Sequence, residues 1–512
     1  MNITKKIYIY FFILVTVGCT LPPKENNQTP TLVATVTPQN TRAIPNETEA
    51  IRTYTPESPS PTIHLPTITA ITRPTEQGIQ LNNVFGITIY TLDEAGGLSQ
   101  IAQAGTGWTR SGYGSELAWK RIEPSPGDRV WNTKLEEDLI NAGPLRVELI
   151  MLIGATPVWA LKPGFSCGAV AEDKFPALGQ FAYDLVKRYS VPPYNVHYWE
   201  LWNEPDAAGV LGCWGDPSDT EYYGGYYYGQ MLQAVYPRMK EADPGAQVLV
   251  GGLLLDCDPN YPPQGRTCLE SKFLKGILES GAGPNFDGVS FHAYDFYYGE
   301  GTYGNVNWNS SSSTTGPVSI AKARYLKSLL ASYGYGKKYL VSTETAVFWG
   351  PNVMDPPCSA PSDIIQDIEM TKAYYVIHSY AVALAEGWKA NVWYSAFGVR
   401  CSGLLNDDLS WKDGLYTYQF AEQKLGEAQY VRQINEYEGV MGYEYETSGR
   451  KLWVLWSLDG LAHMIGLPKL PVEVNRIGED GRAVQVPFGG SMTFEYMYLA
   501  VNNSPLFVEF IK

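Results

Sequence analysis

Two acidic residues stand where the sequence could do chemistry. Glu204 closes the run Tyr198-Trp199-Glu200-Leu201-Trp202-Asn203-Glu204-Pro205, and Glu344 closes Tyr339-Leu340-Val341-Ser342-Thr343-Glu344. Each ends a strand-like apolar stretch, and the two lie 140 residues apart. Two carboxyl groups that face each other can split a glycosidic bond. One gives a proton to the departing oxygen; the other attacks the sugar carbon or activates a water. A separation of about 5–5.5 Å implies direct attack with retention, and about 6.5–9.5 Å implies inversion. Asn203 can donate its amide to a sugar 2-hydroxyl, a contact that strengthens as positive charge develops. Pro205 biases Glu204 toward extended backbone, as at a strand edge. Trp159 and Trp349 offer flat faces suited to the C–H faces of pyranoses. Glu123 reads as a loop or ion-pair residue, and Glu200 faces either the helix layer or the interior of a barrel. No Cys or His spacing resembles a zinc site, so neither metal nor cofactor is expected.

These residues need a frame that brings distant strand ends together. From residue 84, short runs rich in Val, Ile and Tyr alternate with amphipathic stretches. The pattern predicts strands at 84–90, 106–110, 146–153, 196–203, 247–252, 286–292, 338–343 and 390–395. It predicts helices at 176–189, 222–242, 271–280, 320–332 and 364–386. Near-continuous apolar strands imply burial on both faces, as in a parallel sheet. The fold class is therefore α/β, a (β/α)8 TIM barrel with enlarged loops, whose active groups project from the C-terminal strand ends. A doubly wound open sheet competes, but no Gly-rich nucleotide loop follows the first strand. After Gly426, apolar runs at 440–446, 451–457, 471–477, 492–496 and 506–511, broken by Gly and Pro, predict a small antiparallel β-sandwich domain beside the barrel.

On this frame a resemblance becomes specific. Trp202-Asn203-Glu204-Pro205 resembles the acid/base motif of clan A glycoside hydrolases. Gly107-Trp108-Thr109-Arg110, Trp119-Lys120-Arg121-Ile122-Glu123-Pro124-Ser125-Pro126-Gly127 and Thr156-Pro157-Val158-Trp159-Ala160 are similar to further family segments. The nearest pattern is family 39, over roughly residues 84–425, with the cellulase-like family 5 behind it. Family 5 has a His soon after strand three, and Leu152-Ile153-Gly154-Ala155-Thr156-Pro157 has none. The resemblance implies Glu204 as acid/base and Glu344 as nucleophile, without a cofactor. It implies that Arg110 and Tyr294 orient the nucleophile, and that His292 and Trp393 line the sugar site nearest the cut. Trp159 joins the expected substrate contacts. The implied activity is retaining hydrolysis of an oligo- or polysaccharide. A non-catalytic glycan-binding lipoprotein and a transglycosylase acting on exopolysaccharide are the competing functions.

The remaining sequence bears on location. Lys5 and Lys6 precede an apolar run from Ile7 to Gly18, too short to span a bilayer, which takes about 20 residues. Thr16-Val17-Gly18-Cys19 resembles a bacterial lipoprotein processing site, so residues 1–19 read as signal and Cys19 as the lipidated residue. Residues 20–77 are Thr/Pro-rich and read as a disordered, semi-stiff spacer. The expected domains are then the barrel over 78–426 and the β-sandwich over 427–512, on the bacterial cell surface, with membrane contact only through the lipid. A net charge of -15 argues against a nucleic-acid partner. The six cysteines after Cys19 suit an oxidising compartment. Cys257–Cys268 share one loop, and Cys167–Cys213 and Cys358–Cys401 would each join successive loops.

Overall fold

The computed structural model describes residues 83–110, 118–207, 212–308, 316–350, 358–487 and 497–512. The signal and spacer assigned to 1–77, including Cys19, and the strand expected at 492–496 lie outside the described residues. The strands of the first sheet form where Val, Ile and aromatic residues cluster. They are β1 (Phe85–Ile87), β2 (Trp108–Arg110), β3 (Glu148–Ile153), β4 (Tyr198–Asn203), β5 (Gln247–Leu253), β6 (Gly288–Gly299), β7 (Thr302–Gly304), β8 (Tyr339–Phe348) and β9 (Ala390–Trp393). All but β7 pair in parallel, in the order β5-β4-β3-β2-β1-β9-β8-β6, and the β5–β6 pairing closes the ring. The result is a closed eight-stranded parallel barrel. The helices are α1 (Leu98–Gln103), α2 (Trp119–Ile122), α3 (Thr133–Ala142), α4 (Phe175–Tyr189), α5 (Gly225–Ala242), α6 (Phe273–Glu279), α7 (Ser319–Ser332), α8 (Ile365–Ala385) and α9 (Asp413–Leu425).

Alternation along the strands sorts the side chains. Trp199 and Leu201 of β4 join the large apolar layer between barrel and helices. Trp108, Ile150, Leu249, Val341, Ala390 and Val392 form a separate plug inside the barrel. Above that plug the interior turns polar. Two strands run further than the alternation predicts. β6 and β8 continue past His292 and Glu344, pairing with each other as far as Phe296 and Phe348. β7 adds to the extended end of β6 as an antiparallel partner. The tails form because each finds a partner beyond the barrel rim.

The C-terminal region builds β10 (Gln429–Ile434), β11 (Val440–Thr447), β12 (Arg450–Ser457), β13 (His463–Leu467), β14 (Glu473–Ile477), β15 (Ala483–Gln485), β16 (Met497–Val501) and β17 (Leu506–Ile511). Six of them form an antiparallel sheet, β10-β11-β12-β17-β14-β15, and β13 pairs with β16. Ile465, Leu467, Leu499 and Val501 of the small sheet share a core with Trp453, Leu455, Val508 and Phe510 of the large one. The other face of the large sheet meets the helices. Trp456 stacks on His378 of α8 at 4.3 Å, and the Tyr445 hydroxyl donates to Ala381 O at 2.6 Å. α8 is therefore covered on both sides, which explains why it is apolar almost all round. No helix among the described residues is long and apolar enough to cross a membrane.

Candidate active site

The site is assembled where β4, β6 and β8 leave the barrel, and irregular backbone does the aiming. Regular alternation would not turn consecutive residues inward. In β4 the ladder to β5 passes from Leu201–Val250 to Asn203–Gly252, skipping Trp202. Trp202 has φ 64° and Glu204 φ 44°, both in the left-handed region. Non-glycine residues there cost of order 1–3 kcal/mol each and cluster at functional sites. The extended geometry expected for Glu204 ahead of Pro205 is thus corrected: the left-handed kink through Trp202 and Glu204, which leaves the register to β5 unchanged, overrides the proline's local bias. In β8 the register itself shifts, the pairings to β9 jumping from Ser342 to Thr345. Thr343 and Glu344 then both face the interior, where each contacts a charged side chain.

Two glycines make room. A Cβ on Gly251 would lie 2.1 Å from Trp202 O, and one on Gly252 would lie 2.1 Å from His292 Nε2. Only a bare backbone lets the Trp202 carbonyl and the His292 ring sit this close to β5. The Gly-Gly pair at a strand end was the available sequence signal for this, because glycine inside a strand marks close approach.

Arg110, 1% exposed at the end of β2, is the hub. Its Nη1 donates to Glu344 Oε1 at 2.5 Å, its Nη2 to Asn203 Oδ1 at 2.8 Å, and its Nε to Glu200 Oε2 at 2.5 Å. Glu200, whose facing the sequence left open, points inward. Its Oε1 accepts from Ser290 at 2.6 Å and Thr343 at 2.8 Å. Glu200 therefore locks Arg110, and Arg110 fixes both Glu344 and the amide orientation of Asn203. The Tyr294 hydroxyl donates a short hydrogen bond to the other oxygen of Glu344.

Glu204 sits opposite. His292 Nδ1 lies 2.8 Å from Glu204 Oε1 and 3.4 Å from Glu344 Oε2, so the imidazole touches both carboxyls. Glu204, His292 and Glu344 each place one ligand-capable atom within 4.8 Å of the others. These three are also the described side chains that could hold a metal ion. Asp256, Cys257 and Cys268 are grouped as closely, but both thiols are consumed in a disulfide.

Burial sets the charges. It pushes the Glu204 carboxyl up to about 7, against the opposing pull of Arg110 and Lys322. Burial also raises Glu344, but His292, Arg110 and the Tyr294 hydroxyl oppose that rise. Burial lowers His292 to about 4, so the ring is neutral near neutral pH. Its Nε2 has no hydrogen-bond partner among the described residues. One carboxyl can thus carry a proton, while the guanidinium and phenol on the other favour its anion against the pull of burial.

The aromatic residues divide. Trp393 is a correction: it is fully buried in the apolar layer, packs against Tyr375 of α8, and donates its indole N–H to Ser402 O at 2.9 Å. With Val392 in the inner plug, alternation turns Trp393 outward. The next residue, Tyr394, takes the inward place the sequence reading gave to Trp393. Its ring lies 6.2 Å from that of Tyr294, and its hydroxyl accepts from Tyr90 at 3.0 Å. Tyr294 stacks on Phe348 at 4.4 Å. Trp159 lies in the loop after β3, half-buried, edge-on to Trp119, with its N–H on Glu123 O. Glu123 organises that region through Trp119, Gly127 and Arg129. Trp349 is half-buried just past β8.

Three disulfides staple the loops on this face: Cys167–Cys213, Cys257–Cys268 and Cys358–Cys401, with Cα–Cα distances of 5.4, 5.1 and 4.3 Å. The first joins the loop after β3 to the loop that follows Glu204. The third joins the loops after β8 and β9.

No protein-family model matches the sequence, and no match to a curated protein is found. Solved structures do share the fold. A family 39 glycoside hydrolase from Bacteroides cellulosilyticus WH2 superposes with a TM-score of 0.61 at 18% identity, covering 85% of this chain and 82% of that one. An α-L-arabinofuranosidase from Thermotoga maritima gives 0.53 at 12% identity, covering 84% and 97%. A family 30 endoxylanase from Clostridium papyrosolvens C71 gives 0.51 at 13%, covering 84% and 96%.

Proposed function

We propose that this protein is a retaining glycoside hydrolase that cleaves O-glycosidic bonds of an oligo- or polysaccharide by double displacement. One observation carries the reading: Glu204 and Glu344 converge from distant strands to within 4.8 Å, in opposite electrostatic settings. Carboxyl oxygens this close agree with direct attack, for which the two carboxyl groups stand about 5–5.5 Å apart. The solved structures that share the fold are glycoside hydrolases of families 39 and 30 and an arabinofuranosidase, which supports the same class.

In the first step, a Glu344 oxygen forms a bond to the anomeric carbon as the bond to the leaving oxygen breaks. Glu204 gives its proton to that oxygen. Arg110 and Tyr294 hold Glu344 as the attacking anion, and Asn203 offers its amide to the neighbouring hydroxyl. In the second step, Glu204, now a carboxylate, takes a proton from water. The water oxygen bonds to the anomeric carbon and Glu344 leaves.

The charged and apolar N-terminal run, Cys19 and the Thr/Pro-rich spacer support a lipid-anchored protein on the bacterial cell surface. The three disulfides agree with an oxidising compartment. The reading is tested by following new reducing ends on a panel of polysaccharides and aryl glycosides. Wild type releases them; Glu344→Gln and Glu204→Ala, tested separately, each lose at least about 100-fold on an unactivated substrate. Near-normal turnover by either variant contradicts the assignment.

A further inference from the structure

Helix α7 sends a charge into the barrel wall that the proposed mechanism does not use. Lys322 is 4% exposed, and its Nζ donates to Leu254 O at 2.6 Å and to His292 O at 2.9 Å. Leu254 is the residue after β5, and His292 is the β6 residue that touches both carboxyls. Asp206, fully buried two residues beyond Glu204, accepts from the N–H of Leu254 at 2.9 Å and of Leu255 at 2.8 Å. Leu254 is thus gripped at both its N–H and its C=O. The contacts close a circuit: Glu204 leads through Pro205 to Asp206, then to Leu254, Lys322 and His292, whose ring returns to Glu204. Burying an ammonium is costly, and apolar residues fill such walls without that cost. The charge is kept for what it holds.

We propose that Lys322 and Asp206 are positioning residues for the Glu204 carboxyl. They clamp the Leu254 peptide between them, bind the loop carrying Glu204 to β5 and β6, and keep its carboxyl against His292 in proton-donating geometry. This rests on Glu204 being the proton donor. The charged and titratable groups facing Glu204 are Arg110 from β2, Glu200 from β4, His292 and Tyr294 from β6, Glu344 from β8, Lys322 from α7 and Asp206 from its own loop. Arg110 and Lys322 are the cations that oppose the rise burial imposes on Glu204. Removing Lys322 therefore raises the pH at which Glu204 gives up its proton.

The test uses Lys322→Met and Asp206→Asn in the full chain, and two aryl glycosides of a sugar that wild type cleaves. One carries 2,4-dinitrophenol, which leaves without a proton; the other carries unsubstituted phenol, which needs one. The clamp predicts that kcat/KM on the phenyl glycoside falls about tenfold or more in both variants, while kcat/KM on the dinitrophenyl glycoside stays within about twofold. It also predicts that the basic limb of the Lys322→Met pH profile moves to higher pH. Equal losses on both substrates, or no loss on either, overturn the proposal. Asp206→Asn keeps the side-chain size, so it decides the matter if Lys322→Met does not fold. If wild type cleaves no glycoside, the glycosidase reading fails on its own. The clamp is then judged by the carboxyl 13C titration of Glu204 in glutamate-labelled protein, assigned with Glu204→Gln. A shift to higher pH in Lys322→Met together with faster amide exchange at Leu254 and Leu255 in Asp206→Asn supports it; amide exchange unchanged from wild type overturns it.

Discussion

At the scale of single residues, the account turns on two carboxyls made unlike by their neighbours. Glu344 has a guanidinium and a phenol on its oxygens, while Glu204 contacts a neutral imidazole and is raised by burial to about 7. The sign of the pH dependence follows. Glu204 must be protonated to act, so kcat/KM falls as pH rises through about 7. Glu344 must be ionised, so kcat/KM also falls on the acid side, at a pH above the usual carboxylate value. The expected profile is a bell with its maximum on the acid side of neutrality, and Glu204→Ala loses the basic limb. A rate that stays level to pH 9 contradicts the assignment. Glu204, Glu344 and Asn203 were legible as polar residues closing apolar runs, and Arg110, His292 and Tyr294 through the resemblance to clan A glycoside hydrolases; all six arrive in one place. Trp393 was off by one residue. Trp393 and Tyr394 are both aromatic, and a strand as short as β9 does not reveal its phase. Only the inward packing of Val392 fixes which ring turns to the site.

Elements place these groups through their irregularities. The left-handed kink at Trp202 and the register jump in β8 turn adjacent residues the same way, which periodicity alone cannot foretell. That is also why the reach of β6 and β8 was underestimated: their tails pair only with each other and with β7. Polar helix α3 and the largely exposed strand β10 were missed because little apolar surface marks them. The close approach at β5 makes a sharp prediction. Gly252→Ala puts a methyl where the His292 ring lies, so the ring must move off Glu204 and Glu344. We expect kcat to fall about 10- to 100-fold with a folded barrel by circular dichroism. Activity within about twofold of wild type means that the His292 position does not matter.

For the whole molecule, the β-sandwich acts as a second wall for the helix layer. α8 is clad by the barrel on one side and by the large C-terminal sheet on the other. Trp456, His378 and Tyr303 lie at that seam, with the Tyr303 hydroxyl on His378 Nδ1 at 2.8 Å. The sequence announced the second domain through its change of pattern after Gly426, but not that this sheet would bury both of its faces. Trp456→Ala leaves a cavity against α8 and costs about 3–5 kcal/mol. Calorimetry should show one transition, shifted down, since barrel and sandwich share this layer. Two transitions, with the barrel's unmoved, contradict that mutual support.

The central claim is that Glu344 bonds to the sugar while Glu204 supplies and then recovers a proton. The anomeric configuration of the first product reports on it directly, by 1H NMR within minutes of adding enzyme to a glycoside, before mutarotation scrambles the signal. The account predicts that the initial hemiacetal keeps the configuration of the bond that was cut. An inverted first product means that water attacked directly, and Glu344 is then not the nucleophile.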